Sequence, residues 1–75
     1  MTEETKKRLP DIIRRIDELQ DEVVKIYSEE FEDMKRDTLD EFGRVIAANR
    51  LIRLNGAYAS LDDASRLLRT FRRSL

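Results

Sequence analysis

The sequence predicts an all-α fold, a bundle of three helices that self-associates. Three observations carry the prediction. Helix breakers are scarce, with two glycines and one proline in 75 residues. Apolar residues recur every three or four positions, the period of a helix rather than of a strand. Charged residues make up 41% of the chain, and many stand four apart with opposite sign, the spacing at which side chains meet on a helix surface.

The first helix is predicted over about 10–36. Pro10 suits its first turn, where the missing N–H removes no bond, and residues 1–8 are then a disordered or frayed N-terminus. Leu9, Ile12, Ile13, Ile16, Leu19, Val23, Ile26, Tyr27, Phe31 and Met34 fall within an arc of about 140° at 100° per residue. The opposite side carries Asp11/Arg15, Arg14/Glu18, Asp21/Lys25 and Glu32/Arg36.

Next comes Thr38-Leu39-Asp40-Glu41, a Thr with Glu three residues on, which is the capping-box pattern. Asp37 is a second candidate cap. No Gly or Pro interrupts the chain there, so a break and a single long, kinked helix are both open. Helix 2 is predicted over about 39–54 and ends at Asn55-Gly56, because Gly takes the left-handed conformation of a helix C-terminus at little cost. Ala57-Tyr58-Ala59 forms the connection. Ser60 followed by Asp63 reads as an N-cap, with Asp62 and Asp63 at the positive helix end. Helix 3 is predicted over about 61–74, with Leu61, Ala64, Leu67, Leu68, Phe71 and Leu75 as its apolar set.

A chain of this length forms one domain and buries only roughly 60% of the surface its unfolded form exposes. Oligomerisation is a common way to complete so thin a core. With no Cys and no His, the chain has no disulfide, thiolate nucleophile, Cys-based zinc site or His-containing triad. No apolar run approaches the ~20 residues that span a bilayer, so a soluble, cytoplasmic protein without membrane contact is expected. The net charge of −1 is unevenly spread: residues 1–41 carry 14 acidic and 8 basic side chains, residues 42–75 carry 2 acidic and 7 basic, all Arg.

Helix 2 has two apolar faces on a helical wheel. Phe42, Val45, Ile46 and Ile52 form one, with Leu39 at its edge and Asn49 among them. Ala47, Leu51 and Leu54 form the other. A peripheral helix of a monomeric bundle needs one stripe. Either both flanking helices take a side each, or one side meets a second subunit or another protein; Ala47, Leu51, Leu54 and Asn49 are the candidate interface. An Asn within an apolar seam is a device for setting register and oligomeric state. Glu30, inside the apolar arc of helix 1, is expected to pair with Arg50 or Arg53.

Candidate chemistry is thin. Glu18/Glu22 and Glu30/Asp33 place carboxylates on shared helix faces, and the pattern resembles in kind the ExxE…ExxD of all-α pyrophosphohydrolases, in which carboxylate oxygens hold Mg²⁺. That family carries its two motifs on facing helices, whereas here both lie on one. The stretch Leu9 to Phe31 is similar to the long first helix of chorismate-mutase-like helical dimers, whose active-site basic residues have no one-to-one match here. The two glycines, Gly43 and Gly56, form no phosphate-binding loop, and Gly43 permits close approach of another helix.

Arg66, Arg69, Arg72 and Arg73 are the strongest functional feature. The planar guanidinium fork suits phosphates and base edges, and a basic last helix resembles the general helix-turn-helix plan. Asp62 is a competing partner for Arg66 within the same helix, and the acidic first helix is a competing surface for the whole stripe. The expected function is a small non-catalytic regulatory module acting through protein–protein contacts, a homo-oligomer with the dimer favoured or a complex with another protein. The alternative is a DNA-binding repressor or antitoxin-type regulator that uses the Arg stripe, for which an acidic protein is the other candidate partner; a helical enzyme is a third class. No cofactor or metal is implied.

Overall fold

The structure, a computed structural model, describes residues 1–36 and 40–75. These form two α-helices, α1 (Glu3–Arg36) and α2 (Glu41–Arg73), folded back on each other as a hairpin. At 1.5 Å per residue each is about 50 Å long. The molecule measures 56 × 15 × 13 Å with a radius of gyration of 17.2 Å, against about 11 Å for a compact chain of this length. It is a rod two helices thick.

The three-helix bundle expected from the sequence is therefore corrected: its second and third helices are one. Gly56 lies inside α2 with no positive φ, so Asn55-Gly56 is not a C-terminus and Ser60 is not an N-cap. Gly in a helix interior costs about 1 kcal/mol relative to Ala. The continuous apolar register outweighs that cost. Ala47, Leu51, Leu54, Tyr58, Leu61, Ser65 and Leu68 step by four and three residues in strict alternation straight through 55–60. A loop there would have broken the phase.

The same alternation runs along α1 through Leu9, Ile13, Ile16, Gln20, Val23, Tyr27, Glu30 and Met34. An average step of 3.5 residues keeps one line of side chains facing a partner helix along its whole length. The two lines meet antiparallel, as the cross-helix bonds Asp17 to Ser65 and Gln20 to Asp62 require. Each pairing brings together residues whose numbers sum to about 82.

Both helix starts also differ from expectation. α1 begins at Glu3 rather than near Pro10, with the Thr5 backbone N–H donating to Thr2 Oγ1 at 3.1 Å and the Lys6 N–H to the Thr2 carbonyl at 3.1 Å. Thr2 thus caps the helix, and Glu3 and Glu4 sit at its positive end. Pro10 removes one backbone bond at an exposed site inside the helix. α2 is capped by Asp40, whose carboxylate accepts the Gly43 N–H at 2.7 Å. The capping candidates Asp37 and Thr38, and Leu39, lie outside the described residues.

Packing two helices gives one contact line and little enclosed volume. Among the described residues Leu9 and Ile13, each 6% exposed, are the buried apolar ones, and Ser65 is the buried polar one. An added Cβ at Gly56 meets nothing within 4 Å. Gly56→Ala should therefore stabilise the fold by about 0.5–1 kcal/mol, by raising helix propensity and lowering unfolded-state entropy; urea unfolding followed by circular dichroism measures it.

Candidate functional site

The flanks of the contact line give the hairpin two unlike sides. On one side, a polar cluster ties the helices together. Asp17 Oδ1 accepts a bond from the buried Ser65 hydroxyl at 2.9 Å, and Asp17 Oδ2 accepts one from Arg69. One turn on, the Gln20 amide donates to Asp62 at 3.4 Å, and Asp62 also pairs with Arg66, which lies 3.7 Å from Asp63. Because Ser65 is too short to reach more than one α1 position, these bonds pin the helices in one register. The Arg66 guanidinium and the Gln20 amide hold the Asp62 carboxyl below its ordinary value, and Asp62 in turn raises Arg66.

This cluster decides where the Arg stripe stands. Arg66 and Arg69 already face carboxylates of the chain, Arg66 within α2 and Arg69 across to α1. Arg72 and Arg73 lie in the last turn of α2, where a positive charge complements the negative helix end. Arg66, Arg69 and Arg73 share one face of α2, with the carboxylates of Asp62 and Asp17 beside the first two.

The candidate interface residues are also divided. Ala47, Leu51 and Leu54 are half-buried and face α1: Leu54 shares a groove with Val23, Val24 and Tyr27, and Ala47 shares one with Glu30 and Met34. Asn49 is exposed, on the outer side of α2 with Phe42, Val45 and Ile52. Glu30 lines a groove with Arg50 and Arg53; among the described residues no ion pair joins them. Gly43 is half-buried in the groove with Glu30, Asp33 and Met34.

The second side of the hairpin is apolar. Ile12, Leu19 and Ile26 stand seven residues apart on α1, and Ala57, Ala64 and Phe71 stand seven apart on α2. Arg50 continues the α2 row seven residues before Ala57, and it lines one groove with Ile26, which puts the two rows on the same side. Ile12, Leu19, Ile26 and Phe71 are 40–48% exposed. In the sequence Ile12, Leu19 and Ile26 fall in one broad apolar arc; the signal that separates them from the contact line is their own seven-residue spacing.

Little in this geometry suits a small molecule or a metal. The grooves along the hairpin hold about 200 to 400 Å³ and lie open to solvent, whereas ligand pockets bury most of the ligand's surface. Among the described residues no three carboxylates are grouped to hold an ion, and no helix is long and apolar enough to cross a membrane. No protein-family model, curated protein or solved structure matches the chain.

A carboxyl whose folded-state pKa lies below its unfolded value stabilises the fold above the unfolded value, and that contribution is lost as pH falls through the folded one. Asp62→Asn should therefore lower stability at pH 7, with the gap to the native chain closing as pH drops below about 4. A gap unchanged down to pH 2 in urea-unfolding series would assign the loss to packing instead.

Proposed function

We propose that this chain is a small non-catalytic helical module that works through protein–protein contacts, offering the open faces of a hairpin to another helical surface. One observation carries the reading: among the described residues two apolar side chains are buried, while large ones from Ile12 to Phe71 stand exposed along both helices. Soluble monomers rarely leave apolar area contiguous over such a length, and where they do it marks an interaction surface. Helices with a third apolar row beside the contact line are those of bundles with more than two members. The pairing of Arg66 and Arg69 with carboxylates of the same chain favours protein over nucleic acid as the partner.

The reading makes a measurable demand on the isolated hairpin. A folded state held by one contact line draws its remaining stability from association, and its melting temperature then depends on concentration. Diluted to about 0.1 μM, the chain should lose much of its helical circular dichroism below about 50 °C, a low midpoint for a small domain. A sharp, concentration-independent transition above 60 °C would mean that the hairpin is self-sufficient, and the reading would fail.

A further inference from the structure

Building on that reading, we propose that the occupant of the apolar side is a second copy of this chain, packed face to face as an antiparallel four-helix bundle. The two-fold axis would run perpendicular to the helices, through the layer of Leu19 and Ala64. This places α1 against α1 of the other copy and α2 against α2.

Three features of the chain converge on that axis. The first is charge. Beside the Ile12/Leu19/Ile26 row of α1 runs a second seven-residue row: Arg8, Arg15, Glu22, Glu29. Its order of signs is inverted about its midpoint. An antiparallel α1 centred near residues 18–19 sets Arg8 against Glu29 and Arg15 against Glu22 of the other copy, while a parallel one in register opposes like charges. The same centre brings Ile12 opposite Ile26, and Leu19 opposite its own counterpart.

The second is shape. On α2, centring the row Ala57, Ala64, Phe71 on Ala64 places the large Phe71 ring over the small Ala57 of the other copy. The two centres rest on different properties, one on charge and one on size. Residue numbers 19 and 64 sum to 83, so the hairpin register places both in one layer, as one symmetry axis demands.

The third is extent. About an axis through Leu19 and Ala64, α1 overlaps its counterpart over about 50 Å and α2 over residues 55–73, about 28 Å. With axes about 9 Å apart, this layer offers on the order of 700 Å², approaching the about 800 Å² per partner of a stable complex. The opposite side of the hairpin is unsuited to the same role because Asp17, Asp62, Arg66 and Arg69 occupy its middle.

Sedimentation equilibrium at 1–100 μM tests the proposal directly, with a dimer mass expected. Arg8 and Glu29 lie about 31 Å apart along one helix, so they meet only between copies. Arg8→Glu alone should weaken dimerisation about 10-fold, and adding Glu29→Arg should restore it to within about 3-fold. Leu19→Asp should raise the dissociation constant at least 100-fold. Since the chain has no cysteine, Leu19→Cys provides a single thiol, which should oxidise to a covalent dimer much faster than Ser28→Cys on the other side. Equal cross-linking rates, or charge reversals that do not compensate, would overturn the proposed geometry. A monomer at 100 μM that melts below about 50 °C at every concentration would overturn it as well, yet leave the protein-binding reading intact with a different partner; a monomer melting sharply above 60 °C would remove both.

Discussion

A single line of contact, stepping by four and three residues, governs this molecule. It makes each helix some 50 Å long, holds the two antiparallel, and keeps them in phase through a glycine that would otherwise end α2. It also sets what cannot be covered. Two cylinders touch along a line, so a residue one position to either side of that line is half-exposed whatever its chemistry. The unlike character of the two flanks, polar at Asp17, Asp62 and Arg69 and apolar at Leu19, Ala64 and Phe71, is thus the main information the hairpin displays to its surroundings.

The all-α class, the long first helix and the breadth of its apolar arc were legible in the sequence because they rest on local period. What was not legible is the joining of residues 41–73 into one helix. Asn55-Gly56 is a good local stop signal, and Ser60 with Asp63 a good local start; each is outvoted by the phase shared between Leu54 and Leu61, which shows only when the 4–3 rhythm is carried across the glycine. Thr2 is hidden as a cap for a similar reason, since Pro10 is the stronger local start signal. The pairing of Arg66 with Asp62 followed from i,i+4 spacing. That of Arg69 with Asp17 did not, because it depends on the hairpin register.

The same register reassigns the two faces of the first half of α2. Ala47, Leu51 and Leu54, distinguished in the sequence as a stripe in search of a partner, find one in α1. Phe42, Val45 and Ile52 then lie outermost, with Asn49 beside them, near the turn of the hairpin. Charge is redistributed in the same way. The excess of Arg in the second half of the chain is in part a complement to the acidic first half, expressed at the Asp17–Arg69 contact rather than toward solvent.

One further consequence concerns the order in which the fold assembles. The buried residues Leu9 and Ile13 lie far from the turn, and the Ser65–Asp17 bond joins positions 48 apart. Where α1 ends and α2 begins, α2 brings only Gly43 and Ala47 to meet Glu30 and Met34, and these two bury little. A hairpin of this kind gains little by zipping outward from its loop. The entropy of closing a long loop grows only logarithmically with its length, so the distant layers, where the adhesive contacts reside, are the ones that determine when the two arms commit to each other.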